Sequence, residues 1–407
     1  MILHEPELSR IDGRIRVASR IETRHPKLAG LGHLWFEVEA ASGLAVSDRA
    51  DPFLVAMTPV AMACGESIEV RGRTSPRLAW GLGQLQQIHF AWWPRHVRVV
   101  DVRCEKLEEA PLEQRGSGVV TSFSGGVDSL YTVWRHTGER EAIPGFRLGY
   151  ALLVNGFDLD VDLEETGRWE VLRAIYAPLL APLGVELVSV RSNLRDFRRA
   201  GAGRGGVIRS FGTALAASAL ALSPSFGRFY LAAAHGYADF HADGSTPITD
   251  HLLSTAGFQS IHDGADVPTR FAKVAVIAGW PEALASVRVC SNPDWPSIDI
   301  ERGVIENCGN CRKCVWTLTS LELLTGRTRF PSFRRSATRA NLRWAARRNP
   351  HRAAENLREA LARGRRDIAF TLRCGTAQRQ LERWLRPVLP RRTHGRVSSS
   401  AAAHPVD

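Results

Sequence analysis

The passage that most constrains this chain is the run Val119-Val120-Thr121-Ser122-Phe123, which turns into Ser124-Gly125-Gly126-Val127-Asp128-Ser129 and then into the helix-like pattern of Leu130, Tyr131, Val133 and Trp134. That order predicts a strand, a tight loop and a helix N-terminus. Adjacent glycines let a backbone turn sharply and expose its N–H groups, and Ser124 and Ser129 add hydroxyl donors. The helix N-terminus contributes unpaired N–H groups and the positive end of its dipole, so the loop is built to hold an anion such as phosphate. Asp128 is out of place in a site for anions alone. A carboxylate beside phosphate implies a bridging Mg²⁺, and the passage therefore reads as phosphate plus metal. No Gly-Lys-Ser/Thr follows, which excludes a Walker A loop, and the spacing is not that of the dinucleotide glycine fingerprint. The bland alternative is a Ser/Gly turn with a helix-capping aspartate.

The surrounding pattern alternates. Residues 148–158, 185–190 and 228–233 read as strands, and 164–180 and 211–222 as helices. This predicts an α/β fold with a doubly wound parallel sheet and ligands beyond the C-terminal strand ends. The glycine-rich run 200–206 reads either as a flap with Arg204 reaching phosphate or as a flexible loop. Residues 244–273 are dense in hydroxyls, acids and bases, and are read as the lining of an acceptor pocket opposite the nucleotide.

Residues 1–115 read as a β-rich N-terminal domain, with strands at 34–40, 67–72 and 97–102 and a short helix at 51–64. Phe90, Trp92 and Trp93 are expected in a core or at an inter-domain seam. At 407 residues two or three domains are expected. No apolar run approaches bilayer length and the N-terminus is polar, so the expected location is cytoplasmic, with no membrane partner.

The other strong pattern is Cys290-x17-Cys308-x2-Cys311-x2-Cys314. Thiolates at this spacing close a four-sulfur shell, which suits either structural zinc or a [4Fe–4S] cluster, and not a disulfide scaffold.

Together the loop and the cysteines resemble the PP-loop ATP pyrophosphatases, in particular the 7-cyano-7-deazaguanine synthase (QueC-like) branch, over about residues 117–325. The gap between the first two cysteines is longer than that family's usual one, and the polar middle segment is closer to accessory QueC-like proteins than to the housekeeping enzyme. The resemblance implies an ATP-dependent ligase that adenylates a carboxylate, releases pyrophosphate and AMP, and then forms an amide or nitrile. It implies ATP, Mg²⁺ and Zn²⁺. Ser124, Gly125, Gly126, Val127 and Ser129 would hold pyrophosphate, Asp128 would sit on Mg²⁺, and Cys290, Cys308, Cys311 and Cys314 on zinc. Arg270 and Lys273 are the candidates for charge stabilisation, and His262 and Asp263 for a general base. The acceptor would be a small molecule, a peptide or a protein, with residues 1–115 available to recognise it or a partner subunit.

Residues 116–325 thus form the expected ATP-binding domain, 326–393 a basic helical region and 394–407 a disordered tail. The net charge of +11 is concentrated in arginine pairs near the C-terminus. Nucleic-acid contact is one reading, which would suit a tRNA-modifying PP-loop enzyme. A solvated face or an acidic partner is the favoured one, because stacking aromatics are sparse there. A nucleotide-binding module without catalysis is the third function class.

Overall fold

The computed structural model describes residues 1–156, 167–292, 295 and 297–385. In chain order the elements begin with β1 (Ile2–Leu3), β2 (Glu7–Ile11), β3 (Arg14–Glu22), α1 (Pro26–Ala29), β4 (His33–Glu39), α2 (Asp51–Cys64), β5 (Ile68–Thr74), α3 (Pro76–Trp92) and β6 (Val102–Leu107). The alternating part follows: β7 (Gly118–Ser122), α4 (Val127–Arg135), β8 (Tyr150–Asn155), α5 (Arg168–Leu180), β9 (Glu186–Ser192), α6 (Leu194–Arg209), α7 (Phe211–Leu220), β10 (Phe226–Ala232), β11 (Gln259–Asp263), α8 (Arg270–Ala278) and α9 (Pro281–Ser286). A small ribbon of β12 (Ile298–Asp299) and β13 (Val304–Ile305) leads to α10 (Arg312–Thr325), and α11 (Arg339–Arg348), α12 (Pro350–Ala362) and α13 (Arg366–Leu385) end the described chain.

The fold is α/β around an 11-stranded sheet in the order β11-β10-β7-β8-β9-β4-β3-β1-β5-β6, with β2 paired to β3. The five strands β7 to β11 are parallel. The chain steps from β7 out to β8 and β9, then returns to lay β10 on the other side of β7. The direction of winding reverses there, and such a reversal opens a crevice at the carboxyl ends of the strands. Alternation along each strand buries both faces: Val119, Ala151, Leu153 and Tyr230 join one core with α4, α5, α8 and α10, and Val120, Leu152, Phe229 and Leu231 join the other with α2, α6 and α7.

Residues 1–115 extend this same sheet, through antiparallel pairing of Phe36 with Ser192 and of Glu37 with Arg191. Glu37 is the polar pin of that seam. It accepts hydrogen bonds from Arg14 at 3.1 Å, Arg16 at 2.8 Å and Arg191 at 3.0 Å. Burial opposes its charge, but these bonds and the charges of Arg16 and Arg191 outweigh burial and hold its carboxyl below the usual range. α2 carries apolar side chains on every face because it is covered all round: every residue from Asp51 to Met62 is buried.

Two sequence expectations are corrected. Of the strand expected at 97–102, only Val102 belongs to one. The backbone before it is tied to helices, Val100 N–H donating to Gln86 Oε1 at 2.8 Å and Arg98 N–H to the Met62 carbonyl at 2.9 Å, and β6 starts only at Val102. The glycine-rich run 200–206 is neither flap nor loop but part of α6, kinked at Gly203 (φ 62°). A Cβ on Gly201 would stand 2.5 Å from Val60 Cγ1, so that glycine serves close helix packing. The side chain of Arg204, the start of the helix expected at 164–180 and the tail at 394–407 lie outside the described residues.

The chain divides into two compact units, Met1–Ala337 and Thr338–Asp407. Within the second, α11 to α13 carry arginines paired to the unit's own acids, including Arg339 with Asp367 at 2.6 Å and Arg347 with Glu382 at 2.6 Å. Among the described residues no helix is long and apolar enough to cross a membrane.

Candidate active site and metal centre

The Ser124–Ser129 passage folds as its residues require. β7 ends at Ser122, the chain turns through Gly125 in the left-handed region (φ 69°), and Gly126 is the N-cap of α4. The hydroxyls are part of the turn: Gly126 N–H donates to Ser124 Oγ at 3.3 Å, Ser124 N–H to Ser129 Oγ at 3.4 Å, and Ser129 Oγ–H to the Gly126 carbonyl at 3.1 Å. Beneath the loop, the Tyr176 hydroxyl donates to the Ser286 carbonyl at 2.9 Å. A Cβ on Gly125 would overlap that hydroxyl. Gly125→Ala is therefore expected to cost about 3 kcal/mol, from left-handed strain plus overpacking, read as a lowered denaturant midpoint. An unchanged midpoint would mean that the loop does not take this path.

At the mouth of the loop three candidate residues meet. Asp128 accepts from Arg270 Nε at 3.3 Å and Nη2 at 3.2 Å, and lies 4.0 Å from Lys273 Nζ. Arg270 opens α8 behind the N-cap Thr269, and buried Lys273 donates to the Ala233 carbonyl at the end of β10, at 2.6 Å. Two cations facing one carboxylate leave the mouth net positive, which suits a polyphosphate.

The candidate bases His262 and Asp263 are not brought together. As neighbours on β11 they point to opposite faces. Asp263 is held by Thr132 at 2.6 Å and His136 at 2.9 Å, and His136 also meets Glu141 at 2.8 Å. Burial works against both charges, but the mutual hydrogen bond and opposite charge win, leaving Asp263 below and His136 above its ordinary range. His262 meets Asp250 at 2.8 Å, and Asp250 also accepts from Ser245 at 2.6 Å and Thr246 N–H at 3.2 Å. Much of the polar density in residues 244–273 is this buried network.

Cys290, Cys308, Cys311 and Cys314 converge, their sulfurs all within 4.8 Å of one another. The separations of 4.0, 3.8 and 3.4 Å bracket the ~3.8 Å edge of a tetrahedron of sulfurs about zinc. Without a cation the thiols compete. Sharing with Cys290, the largest influence on each, pushes Cys308 down to about 6, lowers Cys311 and raises Cys314. Backbone N–H groups of Asn310 and Cys311 point at Cys308 Sγ, at 3.4 and 3.3 Å, as they do toward a metal-bound thiolate. The donor set and its spacing fit a closed zinc shell.

Three residues escaped the sequence reading. Asn307 accepts from Val289 and Cys290 N–H groups at 2.8 and 2.9 Å and donates to the Val287 and Ser332 carbonyls at 2.8 and 2.6 Å, fixing Cys290 beside the Cys308 turn. Its only sequence signal is its place just before the cysteine knuckle. Arg288 donates through its backbone N–H to the Gly125 carbonyl at 2.7 Å and through Nε to the Ser124 carbonyl at 3.1 Å. The cysteine cluster is thereby strapped to the loop two residues before Cys290. Asn155, fully buried at the carboxyl end of β8, makes no side-chain hydrogen bond among the described residues. A buried amide with no partner among the described residues, at a strand end beside the loop, fits a site that a polar ligand completes.

Comparison of the chain with protein-family models, with curated proteins and with solved structures found no match.

Proposed function

We propose that this protein is an ATP-dependent ligase of the PP-loop, QueC-like kind, which adenylates a carboxylate with release of pyrophosphate and AMP. One observation carries the reading: a Ser-Gly-Gly-x-Asp-Ser loop at the reversal point of a parallel sheet, its Asp128 bracketed by Arg270 and Lys273. Ser124, Gly125, Gly126, Val127 and Ser129 would hold the pyrophosphate portion of ATP, and Asp128 the Mg²⁺ that neutralises it. Arg270 and Lys273 would turn from Asp128 toward phosphate as charge develops on the leaving group. The task of the chain is positioning and electrostatic stabilisation, since adenylation itself makes the carboxylate oxygen a good leaving group. Zinc on the four cysteines would be structural, because the closed shell leaves no position for substrate. The acceptor is proposed to be a small-molecule or peptide carboxylate reaching the carboxyl edge of the sheet.

A thiol-transferring tRNA enzyme is the weaker reading. Four cysteines are committed to one cluster, and Cys64 is a poor nucleophile, its thiol pushed up to about 11 by burial and then by Glu66. Product analysis decides the reaction class. Incubation with Mg²⁺-ATP, carboxylate acceptors and ammonia is expected to yield AMP and pyrophosphate in equal amounts, whereas ADP and phosphate would refute the proposal.

A further inference from the structure

Just beyond β10 lies a group of donors that the loop and the cysteines do not use. The chain leaves the strand at Ala233, whose N–H donates to the Asp263 carbonyl at 2.8 Å and whose carbonyl is held by Lys273. It then makes a short 3-10 turn over Tyr237–Asp239, pinned by Tyr237 N–H to the Ala265 carbonyl at 2.7 Å. His235, Asp239 and His241 face one another across this turn, with one ligand atom from each within 4.8 Å of the others. His235 Nδ1 lies 3.1 Å from Asp239 Oδ2 and His241 Nδ1 3.6 Å from Asp239 Oδ1, and the two rings meet edge to face at 4.0 Å.

We propose that His235, Asp239 and His241 form a second metal site, which takes a divalent first-row transition ion. Metal–nitrogen and metal–oxygen bonds of about 2.0–2.2 Å put neighbouring donors roughly 3.0–3.5 Å apart, close to the spacing here. Two imidazoles and a carboxylate, with no thiolate, select such an ion over the hard Mg²⁺ proposed for Asp128. The site differs in kind from the cysteine shell. Three protein donors leave coordination positions open, and the side chains are 32%, 17% and 48% exposed, so those positions face solvent. An open site at the end of β10 stands on the rim of the crevice beside β7. There its ion would bind an oxygen of the acceptor and hold it toward the nucleotide. That role rests on the adenylating reading; the metal site itself does not.

The test uses the full-length, zinc-replete protein without nucleotide, titrated with Co²⁺ and followed by visible absorption and metal analysis. One further Co²⁺ per chain is expected, with weak absorption typical of nitrogen and oxygen ligands and no thiolate charge-transfer band. His241→Ala and Asp239→Asn should each weaken binding by about tenfold or more, with zinc content and thermal midpoint unchanged, and Asp128→Asn should leave it intact. Absence of saturable Co²⁺ binding, binding unchanged in both ligand variants, or binding lost in Asp128→Asn alone would overturn the site. None of these outcomes bears on whether ATP is cleaved to AMP, so the two proposals fail separately.

Discussion

Asp128→Asn is expected to lower Mg²⁺-dependent cleavage of ATP on the order of 10³-fold, while the thermal midpoint stays within a few degrees of the parent protein. The amide has the shape of the carboxylate but no charge, so it fills the same space on the first turn of α4 and still accepts from Arg270. What it cannot do is hold Mg²⁺ against a polyphosphate. The contrast between rate and stability separates a metal-binding role from a structural one. Were Asp128 only the partner of Arg270 and Lys273, which it meets at 3.2 and 4.0 Å, the substitution would lower the midpoint and leave the rate per folded molecule untouched. A variant that cleaves ATP at the parent rate would remove Asp128 from the chemistry.

The second large effect is expected from the cysteine shell. Metal analysis of the parent is expected to give about one zinc per chain, and Cys311→Ser should release it and lower the thermal midpoint by roughly 10 °C. That figure assumes a loss of ~3–5 kcal/mol in a domain of this size, well below the ~10–16 kcal/mol apparent binding energy of zinc-finger peptides, because a large core remains. The damage should not stay local. Cys290 is fixed by Asn307, and Arg288, two residues earlier, holds the carbonyls of Ser124 and Gly125. Affinity for Mg²⁺-ATP should therefore fall together with zinc content on chelation. Metal analysis and calorimetry check this, and a zinc-free parent of unchanged midpoint, or an iron–sulfur absorption, would refute it.

How far the sequence carried depended on whether a feature was local. The loop was legible because strand, glycine pair and helix start are contiguous, and the cysteines because their spacing is itself the chemistry. α3 was missed although Ser75 caps it, its side chain accepting from Leu78 N–H, with Pro76 at its first position. Gly81 and Gly83 inside it obscured the helical period. The aromatics Phe90 and Trp92 stand in its last turn. Arg288, Asn155 and the His235–Asp239–His241 group could not be read, because what gives each its meaning is a neighbour supplied by a distant strand or turn. Residues 244–273 divide into two parts, of which Arg270 and Lys273 reach Asp128 at the mouth of the loop. Earlier in the segment Ser245, Thr246, Thr249 and His262 gather on Asp250, a network whose partners the polar composition alone does not specify.

The continuous sheet also sets an order of events during synthesis. α2, buried along Asp51–Met62, reaches the ribosome exit well before α6 and α7, which cover it, and β4 is made about a hundred and fifty residues ahead of its partner β9. Domains made early usually fold early. Here the first third of the chain is expected to wait, holding a largely apolar helix and one unpaired edge of β4, until β9 and the helices α6 and α7 arrive. Contacts of such long separation make folding slow and the nascent chain adhesive. The nascent chain is therefore expected to be more prone to aggregate than the finished fold, where α2 and the β4 edge are covered.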